Sequence, residues 1–325
     1  MKKRVLGITG VFLLPVALYF LFCFIAPNFG SHTLPIILSQ AMIPTAMGMG
    51  MATIMMSGLM DFSAGCRVLF AATAGYILHM RFGLVGFVLG CFIGAFIISL
   101  VLALLYRYLR IPSMVVSLGV VLLAEAVTYW LSQRTGGSGF MTVSEEIYKI
   151  GSYPYNIILT IAAGIIFYII AYQTKIGCQI QAAGDNEILV LNMGVDSAKI
   201  KFQAYLLSAV FIGFAAILQM SYAGSITLQT NMTTVEMVFK PMMGVMVGMV
   251  LVKLWDVLPL MILAGELIIS ILFNGLIAMG LTDDIQNIVL GAFLLIVMGT
   301  SNNYGKFLEM SRRRKVRLTA GAADL

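Results

Sequence analysis

Charge is what this sequence has least of. Only 10% of its 325 residues are Asp, Glu, Lys or Arg, against roughly a quarter in ordinary soluble domains. With 60% hydrophobic residues and a mean hydropathy of +0.99, polar surface is too scarce to cover a packed soluble core. That excludes a soluble enzyme or a nucleic-acid binder. Cysteine is scarce as well: Cys23, Cys66, Cys91 and Cys178 lie in or beside apolar stretches with no CxxC or metal-ligand spacing, and read as small reduced hydrophobes. The only two histidines, His32 and His79, are far apart. No Walker A, HExxH or GxSxG sequence occurs, and the nearest glycine-to-lysine stretch, Gly299 to Lys306, has the wrong spacing. The chain carries no means of its own to hydrolyse ATP or to perform covalent catalysis, and no cofactor or metal is expected on it. Abundant Gly (32) and Met (23) exclude a disordered or fibrous chain.

What is present is one apolar run after another. A first run from Val5 to Ala26 follows Lys2, Lys3 and Arg4; it is too long for a signal-peptide core and lacks a small-x-small cleavage site, so it reads as a retained span. Further runs follow at 35–58, 68–80, 84–105, 113–132, 155–172, 203–223, 237–254, 257–279 and 285–300. At about 20 residues per crossing, these predict an all-α integral membrane protein with about ten transmembrane helices, within a range of eight to eleven. No short repeat and no separate soluble domain interrupts them. The expected organisation is therefore one polytopic domain over 1–325, with a membrane region of about 5–303 and a basic cytoplasmic tail over 304–325 that is drawn to anionic lipid.

The few cations are unevenly placed. With the N-terminus inside and ten spans, the inside segments hold Lys2, Lys3, Arg4, Arg67, Arg107, Arg110, Lys175, Lys199, Lys201, Lys253, Lys306, Arg312, Arg313, Arg314, Lys315 and Arg317. The outside segments hold Arg81, Arg134 and Lys149. This bias predicts that both termini are cytoplasmic. Two loops stand out. Residues 133–154 form an outer loop with turn-permitting Gly136, Gly137 and Gly139. Residues 173–201 form the one substantial inner loop, whose centre reads as a short helix from Asn186 to Met193, with Asp185 or Asn186 as N-cap and Gly194 just past its end.

Polar groups inside spans are candidates for the translocation path because they are expensive there. Glu125 and Glu266 fall near the middles of spans, and Gln219 and Asn274 lie within others. Glu236 and Lys240, four apart, are expected to pair on one helix face. Asp61 and Ser63 belong to SGLMDFSAG (Ser57 to Gly65), a polar break between apolar runs in which either side chain is suited to cap the following helix. Gly86, Gly90 and Gly94, and again Gly244 and Gly248, are spaced for close helix packing.

Several segments together resemble one family. SGLMDFSAG resembles the TGGIDLSVG-type signature of the permease subunits of ribose-type ABC importers. Leu109-Arg110-Ile111-Pro112 with Ser117-Leu118-Gly119 resembles their LRIPPFIVTLGT stretch. Gly177 to Glu187, running on to Met193-Gly194-Val195, is similar to GRxIYAIGGNxxAAxxxGI, and Phe273-Asn274-Gly275 to NNG. The resemblance covers roughly residues 40–300 in order. It implies a permease that pairs with a second permease subunit, receives a sugar or sugar-like solute (nucleosides in related branches) from an extracytoplasmic binding protein, and engages ABC ATPases that hold the ATP and Mg2+. It also implies that Gly184, Asp185, Asn186, Glu187, Asn192 and Gly194 belong to the coupling helix that meets the ATPase. Two departures point to a different rather than an identical partner subunit. The family's glycine-rich VVxGGTSLxGGxG segment is replaced by the bulkier Pro241 to Met249, and Glu125 stands where many members carry Arg. The alternatives are an ion-coupled secondary transporter using Glu125 and Glu266, or a non-transporting subunit of an ABC complex.

Overall fold

A computed structural model describes residues 2–299 apart from 27–28, 135–139, 229, 253–254, 283, 294 and 298. Lys253, Gly136, Gly137, Gly139 and the basic tail therefore lie outside the described residues. The chain is helical nearly throughout: α1 (Lys2–Ile25), α2 (Thr33–Met55), α3 (Ala64–Leu109), α4 (Ser113–Arg134), α5 (Glu145–Gly151), α6 (Tyr155–Tyr168), α7 (Lys175–Asp185), α8 (Glu187–Asn192), α9 (Ser197–Ala223), α10 (Thr233–Leu251) and α11 (Leu258–Ala278). A π-turn over Ile169–Gln173 extends α6. Among the described residues, seven helices are long and apolar enough to cross a membrane, and two shorter apolar runs, Val11–Ile25 and Asp284–Val297, accompany them. The protein is thus an all-α integral membrane protein.

The longest helix, α3, is two helices joined at Gly83, whose φ of 60° and ψ of −147° turn the chain back. The two halves lie backbone against backbone. A Cβ on Gly90 would sit 2.7 Å from both the Ala74 carbonyl oxygen and the Gly75 Cα, and one on Gly94 2.9 Å from the Ala71 Cα. The small-residue ladder read from the sequence is therefore the seam of a helical hairpin. Because the first half begins at Ala64 rather than at 68, it is a full-length helix and not the short segment that hydropathy alone marked out.

Helix α2 forms the axis of the fold. It packs against α6, α9, α10 and α11, and its residues from Ala41 to Ile54 are almost all buried. The second half of α3 lies along α9, where the Phe92 ring fills the space over Gly213 and meets Phe214 edge-on, centroids 5.1 Å apart. Among its described residues, the connection between α4 and α6 has more order than its composition implies. Phe140–Thr142 (β1) pairs antiparallel with Ser225–Thr227 (β2), and α5 follows directly. This strand pair ties the α4–α6 connection to the end of α9.

Replacing Gly90 by Leu should cost about 1–3 kcal/mol through overpacking of the α3 seam, read as a lower unfolding midpoint of the purified chain in detergent. Gly119→Leu, at a position with nothing within 4 Å, should leave the midpoint unchanged.

Candidate functional site

The break between α2 and α3 is the most polar feature of the membrane region. After Met55 the chain makes a turn and runs extended through Asp61, so its backbone donors have no helix to serve them; in lipid each must be satisfied by the protein itself. Two serines on α4 supply acceptors, with Met60 N donating to Ser113 Oγ at 3.3 Å and Phe62 N to Ser117 Oγ at 3.3 Å. Asp61 Oδ1 accepts from Ser63 N (2.8 Å) and Ser63 Oγ (2.5 Å). Its other oxygen pairs with Arg67, which is completely buried. Arg67 Nη1 also donates to Ser99 Oγ (3.1 Å) and Ser208 Oγ (2.7 Å). One guanidinium thereby links the break, both halves of α3 and α9.

Across Cys66 lies a second broken start. Asn231 and Met232 adopt positive φ (76° and 64°) just before α10, a region costly for residues with side chains. The orphan amides of that helix start are taken by Glu125 from α4. Its Oε2 accepts from Met232 N (2.8 Å), and its Oε1 from Thr234 N (2.9 Å) and Thr234 Oγ1 (2.6 Å). The carboxylate sits where the helix dipole favours negative charge. Gly65 lets the first turn of α3 touch this place, since a Cβ there would run into the Thr234 carbonyl oxygen. A cavity of about 10 Å³ lined by Cys66, Leu69, Glu125, Thr128, Leu228 and Thr234 remains between the two starts. That is at most water-sized, so in this conformation no solute passes between them.

On the α6–α9 side, two short helices project from the spans. Thr174 caps α7 and Asn186 caps α8, its Oδ1 accepting from Leu189 N at 3.1 Å. Gly194, at φ 76°, ends the turn after α8. Gly184 presses on the chain just beyond α2, where a Cβ would overlap the Met56 carbonyl oxygen. Glu187 clips α8 to the start of α9, accepting from Ser197 Oγ (2.5 Å) and Lys201 Nζ (2.7 Å). The Lys201 hydrogen bond, then that of Ser197, hold its carboxyl below the usual glutamate range. Only Val190 of α8 is buried, leaving Ile188, Leu189, Leu191 and Met193 exposed, Ile188 at 71% and Met193 at 73%. This leaves an exposed apolar cluster on a six-residue helix.

A family model described as "Branched-chain amino acid transport system / permease component" matches residues 34–298. The chain belongs to that permease family. It is similar to three curated relatives. The galactose/methyl galactoside import permease protein MglC of Escherichia coli is 24% identical over 314 residues, 89% of this chain and 92% of that protein. The protein of the same name from Haemophilus influenzae is 23% identical over 214 residues, 59% of this chain and 63% of the relative. The autoinducer 2 import system permease protein LsrC of Yersinia pseudotuberculosis is 27% identical over 209 residues, 62% and 59%. The chain thus spans somewhat less than two thirds of the length of the Haemophilus and Yersinia relatives.

In this permease the residues singled out from the sequence fall into distinct places. Asp61, Ser63 and Glu125 come together around Cys66. Asn274 lies apart on α11, its Nδ2 donating to Gln40 Oε1 of α2 (2.9 Å) and to the Ser270 carbonyl (2.8 Å). Gln219 is half-buried on α9, about 16 Å along the helix from Ser208. Gly184, Asp185, Asn186, Glu187, Asn192 and Gly194 are exposed around α8.

Three expectations are corrected. Ser63 is the N-cap residue of α3 but makes no side-chain cap bond, and Asp61 serves Arg67 instead. Arg67, counted among the inner-loop cations, is a fully buried partner in the core. Glu236 does not pair with Lys240 among the described ion pairs; Lys240 Nζ lies 4.3 Å from the centroid of the Phe273 ring. The functional partners that the sequence reading missed are Arg67, Ser99, Ser208, Lys201 and the exposed face of α8. Only the last had a local signal, four apolar residues in a polar loop.

Asp61→Asn should destabilise the fold by about 3–5 kcal/mol, because a buried guanidinium loses its counter-charge. Asp61→Asn combined with Arg67→Met should recover much of that loss in thermal unfolding. For Glu187 the sign follows from its lowered carboxyl. The clip to α9 is fully present above the ordinary glutamate range and is lost only as pH falls through a value below 4.5. A carbon-13 carboxyl titration, assigned with Glu187→Gln, should show this group titrating last among the exposed glutamates and moving upward in Lys201→Met.

Proposed function

We propose that this chain is the membrane-spanning permease subunit of an ATP-driven, binding-protein-dependent ABC importer for a sugar or sugar-like small molecule. The observation that carries the reading is α8: a short helix with an apolar exposed face, fixed to α9 by Glu187 and pressed by way of Gly184 onto the end of α2. A force applied to that face reaches α9 through Glu187 and, across the α7–α8 connection at Asn186, the end of the axis helix through Gly184. The relatives' names, import permeases for galactose and methyl galactoside and for autoinducer 2, support import and a small polyhydroxylated solute. ATP and Mg2+ belong to the ATPase partners, and the binding protein supplies affinity at the opposite face.

The topology that fits is ten crossings. They comprise α1, α2, the two halves of α3, α4, α6, α9, α10, α11 and the run Asp284–Val297, in one membrane domain over 1–325 with both termini cytoplasmic. This places α7 and α8 on the inner side, with β1, β2 and α5 outside. The bulky segment from Pro241 to Met249 supports pairing with a second, different permease subunit. Glu125 is committed to three donors at the start of α10, which argues against its carrying a coupling ion.

Ile188→Asp with Leu189→Asp should leave the subunit in the membrane at normal abundance, yet lower ATP-dependent uptake of methyl galactoside by the assembled transporter at least tenfold. Uptake that persists without ATP and collapses with a protonophore would overturn the importer reading.

A further inference from the structure

Of the two mid-span carboxylates, Glu266 is the one the fold leaves unserved. It lies near the middle of α11, wholly buried, and neither Oε1 nor Oε2 has a hydrogen-bond partner. The carboxyl lies flat on Gly244 of α10, where any Cβ would overlap it, and a Cβ on Gly48 of α2 would sit 3.1 Å from Oε1. Its surroundings offer little. On α2, the Thr45 hydroxyl is committed to the Ala41 carbonyl (2.6 Å) and Gln40 to Asn274. On α11 itself, Ser270 Oγ one turn further on also lacks a partner. On α10, Val245 is apolar, and Lys240, one turn before Gly244, is the charged group that acts on Glu266. Its ammonium rests instead over Phe273, 4.3 Å from the ring centroid.

A carboxylate and an ammonium on facing helices at this depth attract strongly, and each is costly alone. Glycines bring the two backbones close. A Cβ on Gly248 of α10 would sit 2.9 Å from the Ile262 backbone, and one on Gly265 of α11 3.0 Å from Gly248 N, so backbone forms part of the contact, beside packed side chains such as Val247, Leu251, Met261 and Ile268. Such interfaces permit shear between packed helices.

We propose that Glu266 and Lys240 are positioning residues that close into an ion pair in a second conformation of the transport cycle. In that conformation α10 and α11 have shifted enough for the Lys240 ammonium to leave the Phe273 ring and reach the Glu266 carboxyl. The pair is open in the conformation described above, and its closure favours the alternative state. The assignment of that state to a transport cycle rests on the importer reading.

Two measurements test the pair. In the assembled transporter, Glu266→Gln and Lys240→Met should each lower ATP-dependent methyl galactoside uptake about tenfold at equal membrane abundance and unfolding midpoint. The double variant should lose no more than either single one, and the reversed pair Lys240→Glu with Glu266→Lys should regain part of the uptake. Wild-type uptake in Lys240→Met, or losses that multiply in the double variant, would overturn the proposal. Separately, spin labels at Phe239→Cys and Ile277→Cys, both about half exposed, report the register of α10 against α11 once the native cysteines are replaced. Two distance populations are expected in the otherwise native chain in lipid nanodiscs, the second vanishing in either single charge variant. One unchanged distribution in all three would sink the pair. If the unmodified transporter shows no ATP-dependent uptake, the importer reading fails, and the label distances still decide whether the two residues pair.

Discussion

A helix that breaks inside a membrane must find a partner for every backbone group it exposes, and in this chain the buried ion pair of Arg67 and Asp61 makes the break sustainable. Removing two charges from water costs several kcal/mol each, so such a pair survives only with good geometry and additional hydrogen bonds. Here both conditions hold: Asp61 also accepts from Ser63, and Arg67 reaches Ser99 and Ser208. The same four contacts fix where α3 starts, how its second half returns, and where α9 crosses. Ser113 and Ser117 then satisfy the extended backbone in between. The position of the first turn of α3 follows, and with it that of α10, because Gly65 and Thr234 touch backbone to backbone.

The two broken starts use opposite chemistry for the same problem. At α3 a cation enters the core and recruits oxygens. At α10 an anion, Glu125, enters and recruits amides. The difference has a physical cause. The chain before α3 carries hydroxyls and a carboxylate, which are acceptors, while the first turn of α10 presents unpaired N–H groups beside two left-handed residues. A positive charge in the second position would leave those donors facing like charge. An arginine at 125 would therefore require a different approach to α10.

What the sequence made legible was whatever repeats or sits close together. The crossing segments, the Gly86-Gly90-Gly94 seam, the Asn186 cap and the Gly194 stop are all written within a few residues. Their partners lie along one helix or one turn. The decisive polar contacts are not of that kind. Ser208 is 141 residues from Arg67 and Thr234 is 109 from Glu125, and no local pattern announces either. Arg67 was misassigned for a related reason: next to a polar break, a cation reads as a loop residue, and its burial depends on a serine from a distant helix. Asp61 was recognised as important on polarity, but its role as a counter-ion could not be read without Arg67 being inside. The Glu236–Lys240 expectation failed because helical spacing brings two side chains to one face without fixing whether they turn to each other. The lysine ammonium rests over the Phe273 ring on α11 instead.

Sorting the membrane-embedded polar groups by whether the fold satisfies them separates scaffold from moving part. Asp61, Arg67, Glu125, Thr234, Gln40 and Asn274 have partners, mostly on other elements, and each joins pieces that then cannot shift without losing charge-assisted or buried hydrogen bonds. They define a body made of α2, α3, α4, α9, the start of α10 and, through Asn274, the later part of α11. Glu266, Ser270 and Lys240 lack such commitments and all lie along the α10–α11 contact, where Gly244, Gly248 and Gly265 bring the two backbones together. On the importer reading, a push on α8 needs rigid pieces to carry it and a compliant seam where it becomes displacement. In this chain the distribution of satisfied and unsatisfied polar atoms puts the rigidity around the break and the compliance between the last two described long helices.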